Sequence, residues 1–272
     1  MKLSKVKLYV ILNIFSAIVA LALNYLSISI PLNGKTTGEL SDLYANYFVP
    51  AGFTFSIWGI IYLMMIAFIV FQLYQIRKKD LDTIEIIIVI GPWFFISCLA
   101  NAAWIIFWHY EYVFLSVSIM LILLTSLLQI YFALKSFGPL TTKDNIFVLT
   151  FFSIYTGWIS VATIANVTAA LVSIGWNGGV ISPQYWACIM IVVASFFGVI
   201  FVYRNKDIPY TIVIIWALWG IYSKQISISE NMSQTVALFA KYGGTMLLIY
   251  SLFSIFGKNT YFHLVRKDKS LA

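Results

Sequence analysis

The chain has 272 residues, 61% of them hydrophobic and 10% charged, with a formal net charge of +7. A soluble domain carries about 25% charged residues, so this composition excludes an ordinary soluble enzyme or binding module and points to a chain immersed in lipid. Cys98 and Cys188 both fall in apolar runs and form neither a CxxC nor a metal-ligand spacing, which leaves them as small buried hydrophobes.

Eight apolar segments follow one another, at 8–28, 52–75, 84–108, 112–134, 146–171, 184–203, 209–224 and 234–256. Each is long enough, or nearly so, to cross about 30 Å of hydrocarbon at about 1.5 Å per residue, the seventh being the shortest. None alternates with period two, so helices rather than barrel strands satisfy the backbone. The first segment follows Lys2, Lys5 and Lys7 and resembles a signal sequence, but its apolar run is long and no small-residue cleavage site precedes residue 29. It reads as an uncleaved helix.

Basic residues set the orientation. Lys2, Lys5, Lys7, Arg77, Lys78, Lys79, Lys135, Lys143, Arg204, Lys206, Lys258, Arg266, Lys267 and Lys269 fall on one side of an eight-span arrangement, and Lys35, Lys224 and Lys241 on the other. The positive-inside rule then places both termini in the cytoplasm. The basic charge is topological, and no nucleic-acid role is expected. With no transit peptide in view, the expected location is a bacterial plasma membrane. The first loop, 29–49, is the only non-cytoplasmic connection long enough to fold over an opening; 173–183 reads as a turn.

Reactive chemistry is scarce. The histidines are His109 and His263, and no HExxH, GxSxG or phosphate-loop pattern occurs. The acidic residues lie in loops or at helix ends, and Lys241 is the one ionisable group within a span, where it can snorkel to the interface. With no acid–base pair or metal-ligand set, an enzyme is disfavoured.

Aromatic residues are abundant instead, with 9 Trp, 17 Tyr and 22 Phe. In "YTGWISVATIAN", Tyr155, Trp158, Ala162 and Asn166 recur at spacings of three, four and four and fall within roughly 80° on a helix. Trp58 and Tyr62 share a face of the second segment, and Asn101, Trp104 and Trp108 form a stripe on the third. An amide in hydrocarbon needs a partner, either across a helix interface or on a ligand. Periodicity leaves both open: a lining for a large flat apolar ligand, or helix packing joined by amides.

These residues resemble the TspO/MBR family, the translocator proteins or tryptophan-rich sensory proteins. The fifth segment carries the family's Tyr, Trp, Ala and Asn at three-four-four. "NAAWIIF" supplies Asn101, Trp104 and Phe107, and "VPAGFTFSIWGIIY" supplies Pro50, Gly52, Phe55, Trp58 and Tyr62. The resemblance covers residues 1–172. It implies an all-α polytopic membrane protein with a TspO-like five-helix bundle opening toward the first loop. About three additional C-terminal transmembrane helices, at 173–258, bring the total to about eight, followed by a basic cytoplasmic tail at 259–272. It further implies a ligand pocket lined by Trp58, Tyr62, Asn101, Trp104, Phe107, Tyr155, Trp158, Ala162 and Asn166. The implied ligand is a hydrophobic tetrapyrrole such as protoporphyrin or haem, with no required cofactor and no metal. The chain would act as a sensor or facilitator of that ligand's transport, and a homodimer is compatible with the family. No L-x-Y-x-R/K pattern follows the fifth segment, so a sterol role is not implied. The competing reading is a small-solute permease using all eight helices, which requires Lys241 and Trp216 to face a central cavity.

Overall fold

The computed structural model describes residues 2–30, 32–228 and 231–256. The basic tail expected at 259–272 lies outside the described residues. The architecture is helical throughout. The first span is α1 (Lys2–Ser29). A 3-10 turn at Leu32–Gly34 and the short α2 (Thr37–Leu43) occupy the first loop. A second 3-10 turn, Gly52–Ser56, leads into α3 (Ile57–Arg77). The third expected span is broken into α4 (Leu81–Ile90) and α5 (Trp93–His109), bent by 52°. The cause is the Gly91–Pro92 pair. Gly91 takes φ 56°, open to glycine at little cost, and proline has no N–H to continue a helical ladder.

The fourth span is α6 (Val113–Phe137). The fifth starts as α7 (Thr142–Asp144), passes through a π-helical turn at Asn145–Leu149 and continues as α8 (Thr150–Ser173). Then come α9 (Pro183–Asn205), α10 (Ile208–Ile226) and α11 (Asn231–Phe256). Among the described residues six helices are long and apolar enough to cross a membrane, or seven with α4 and α5 taken as one bent span. The helix at the seventh expected segment, α10, is present with 19 residues but is not among those six.

The packing explains why α10 tolerates polar residues. Helices α1, α5, α6, α8 and α3 touch in that cyclic order and form a five-helix ring. Helices α9, α10 and α11 pack on one another and join the ring mainly where α10 lies along α8 and the Gly52–Ser56 turn. Protein rather than lipid thus surrounds much of α10, and its polar groups find protein partners. Gly157 permits the close crossing with α10: a Cβ there would stand 2.9 Å from the Tyr210 carbonyl oxygen. One continuous core cluster runs from Ala17 to Leu247 and includes both helix groups.

At the end of the bundle away from the first loop, buried carboxylates sit at helix N-termini. Asp207 accepts from the Tyr210 amide at 3.0 Å and from Ser153 Oγ at 2.6 Å. Asp144 accepts from Thr141 Oγ1 at 2.6 Å and Thr83 Oγ1 at 3.2 Å. Both occupy helix ends, as the sequence indicated, and both are structurally engaged.

Candidate ligand site

Near the loop end of the ring, α3, α5 and α8 each direct an indole to one place. Trp58 stacks on Tyr62 with centroids 5.4 Å apart and planes 19° from parallel, and on Trp104 at 5.9 Å and 27°. Trp104 in turn stacks on Trp108 at 6.2 Å and 15°. The result is a column of near-parallel rings, Tyr62, Trp58, Trp104 and Trp108. Trp158 meets Trp58 edge-on at 6.1 Å, and Phe55 meets Trp158 edge-on at 5.9 Å. Each such pair contributes about 0.5–1.5 kcal/mol beyond its burial.

These rings border a small cavity of about 40 Å³. Its walls are Trp104 and Trp108 from α5, Trp158, Val161, Ala162, Ala165 and Asn166 from α8, and Phe55 and Trp58 at the start of α3. Thr37, Ser41 and Pro50 of the first loop close it. A second recess of about 330 Å³ adjoins it across Thr37, Phe55 and Trp58 and reaches Asn24, Glu39, Asp42 and Tyr62. A larger hollow of about 890 Å³ between α9 and α11 is bordered by apolar side chains such as Phe196 and Tyr242. Five aromatic residues, with Ser195 and Thr245, line it, but none carries an indole and none belongs to the five-helix ring.

Of the residues expected from the sequence, Trp58, Trp104, Trp158, Ala162 and Asn166 line the small cavity and Tyr62 lines the recess. Asn101, Phe107 and Tyr155 line neither. Asn101 and Tyr155 are fully buried behind the indoles, where the Asn101 amide neighbours the Tyr62 and Tyr155 hydroxyls. Phe107 packs edge-on against Tyr112 at 6.1 Å. Its place on the wall is taken by Trp108, which belongs to the Asn101–Trp104–Trp108 stripe.

Both amides are engaged between helices. Asn24 Nδ2 donates to Asn101 Oδ1 at 2.6 Å, joining α1 to α5. Asn166 Nδ2 donates to Ser116 Oγ at 3.1 Å, joining α8 to α6. Each amide thus makes one of the two kinds of contact the sequence left open, a bond across a helix interface. Nothing in the sequence marked Asn24 or Ser116 as the partners. Asn101 Nδ2 is left without a hydrogen-bond partner, and so are the buried indole Nε1 atoms of Trp104 and Trp158. An unpaired buried donor costs about 1–3 kcal/mol, and the two indoles belong to cavity walls.

The loop side has its own electrostatics. The Thr36 backbone amide, at 2.7 Å, and its hydroxyl hold Glu39 below the usual carboxylate range. Burial, with the Glu111 charge beside it, pushes the Tyr44 hydroxyl above its ordinary value. Among the described residues no group of His, Cys, Asp or Glu is arranged to hold a metal ion.

Residues 10–253 match the family model described as TSPO-like protein, a match that runs through α9 and α10 and into α11. No curated protein and no solved structure matches the chain. Several long apolar helices and this match together make it a multi-pass membrane protein, and the chain belongs to the TSPO-like protein family.

Proposed function

We propose that this TSPO-type membrane protein binds a flat, hydrophobic ligand of the tetrapyrrole class in the aromatic box and acts as a sensor of that ligand or a facilitator of its passage. The observation that carries this reading is the convergence of Trp58, Trp104 and Trp158 from three helices on one cavity, with the Trp104 and Trp158 indole donors unpaired. Indole faces suit a macrocycle, and unpaired N–H donors suit polar atoms on its edge. A cavity of about 40 Å³ holds little more than one water molecule, whose share of liquid volume is about 30 Å³. Occupation by a macrocycle therefore requires the first loop to move off the box and the stacked rings to part.

The permease reading is weaker. Lys241 is exposed on the outside of α11, and Trp216 donates to the Thr54 carbonyl at 3.0 Å and packs against Phe53. In our reading both termini face the cytoplasm of a bacterial cell, the five-helix unit holds the ligand, and a homodimer is compatible with the family.

The test is protoporphyrin titration of purified protein in detergent, followed by porphyrin absorbance, for wild type, Trp158→Leu and Ala162→Leu. Saturable one-site binding, weakened at least about tenfold in both folded variants, supports the box. Binding that ignores both substitutions means partition into the micelle and defeats the proposal.

A further inference from the structure

We propose that α10 carries the latch of a lid formed by residues 32–51, so that the C-terminal helices govern entry to the aromatic box. This inference rests on the box being the binding site.

The lid is a built element. Thr36 and Glu39 form a reciprocal cap on α2, Leu40, Phe48 and Val49 are buried under it, and Thr37, Ser41 and Pro50 close the cavity. One margin is tied to the five-helix ring at the α5–α6 turn. Lys35 pairs with Glu111 at 3.1 Å, Tyr44 donates to the same carboxylate at 3.3 Å, and Asn33 donates to the His109 carbonyl at 3.0 Å.

The opposite margin is held by the other helix group. Lys224 pairs with Asp42 at 2.5 Å, and Gln225 donates to the Tyr47 carbonyl at 3.0 Å. Gln184 of α9 donates to the Tyr47 hydroxyl at 2.9 Å, and the Ala51 amide donates to the Gly220 carbonyl at 3.0 Å. Without α9 and α10 this margin would lose all four attachments while the ring-side ones remained. The backbone also supplies a reversal at the ring-side end, where Asn33 and Gly34 have φ 55° and 76° and a Cβ on Gly34 would meet open space. The Asp42–Lys224 pair is partly exposed, with side-chain accessibilities of 61% and 26%. It is therefore the attachment most open to salt and substitution.

The test needs no ligand. Ala162→Cys places a thiol on the cavity wall in a background where Cys98 and Cys188 are alanine, and its modification by an anionic methanethiosulfonate reagent reports lid opening. Val180→Cys, fully exposed in the turn between α8 and α9, serves as control. Lys224→Glu should speed modification at position 162 by at least about threefold, the range of one exposed ion pair plus repulsion, and leave position 180 unchanged. Asp42→Lys combined with Lys224→Glu should restore the slow rate, and high salt should speed the parent. Equal rates in all variants, or acceleration at both positions, overturn the latch. Because these rates are read without porphyrin, a failed titration would remove the ligand assignment while leaving the gate itself measurable.

Discussion

Trp58 of α3 and Trp104 of α5 stack across the bundle, centroids 5.9 Å apart and planes 27° from parallel, and Tyr62, Trp108 and Trp158 each lean on this pair. Trp58 is 7% exposed and also touches Tyr62, Tyr155 and Trp158. Trp58→Ala should therefore destabilise the protein by about 3–5 kcal/mol, and Trp58→Phe by clearly less because a ring remains in the column. Denaturant unfolding in detergent, followed by circular dichroism, measures both. Equal losses would mean that the stack contributes nothing specific.

The Asn24–Asn101 bond is buried at both ends. Asn24→Leu leaves the Asn101 carbonyl without its donor, at a cost of about 1–3 kcal/mol. Asn24→Leu with Asn101→Leu should cost less than the two single changes added together. A double-mutant cycle on unfolding free energy reads the coupling, expected at about 0.5–2 kcal/mol for an amide pair between membrane helices.

Gly220 of α10 lies against the Thr54 side chain so closely that any Cβ would run into it. Gly220→Ala should push the Gly52–Ser56 turn off α10, at about 1–3 kcal/mol. Thr54→Gly removes all three side-chain atoms that meet the added carbon and should recover most of the part of the loss due to the clash. Thermal unfolding of the two single variants and the double variant gives the answer; an additive double variant would place the strain elsewhere.

The α2 cap carries a pH dependence. The folded state holds the Glu39 carboxyl below its ordinary value of 4.5 through its bonds to Thr36. A depressed carboxyl pKa contributes stability that is present above the unfolded value and is lost as pH falls through the folded one. Amide exchange protection over residues 37–43, corrected for intrinsic rates, should therefore be constant at neutral pH and decline as pH drops below about 4.5. Glu39→Gln should flatten that decline.

How much of this was legible beforehand follows from the physics of each feature. Bilayer thickness imposes a run of apolar residues wherever a helix meets lipid, so most spans are written in local composition. The exception is α10, whose neighbours are largely protein, and its lower apolarity records that packing. The break between α4 and α5 had a local signal in Gly91–Pro92. The aromatic stripes were readable because helical period is local. Even so, Trp108, about 40° from Trp104 on a helix, lines the cavity where Phe107, about 60° away on the other side, does not. That choice is made by the lid, whose Tyr44 ring packs on Trp108 and whose Thr37 carbonyl accepts from the Trp108 indole.

The sequence by itself determined that the chain crosses a membrane repeatedly, and that three of its helices carry aromatic and amide faces, because hydrophobic length and the 3.6-residue period need no partner to be read. Only the tertiary structure decided what those faces meet. The Asn24–Asn101 and Asn166–Ser116 bonds, the Trp58–Trp104 stack, and the hold of Lys224 and Gln225 on the lid join residues 46 to 182 positions apart. Such inter-helix pairs depend on how whole helices pack, and helix packing is a property of the assembled surfaces rather than of any one stretch of chain.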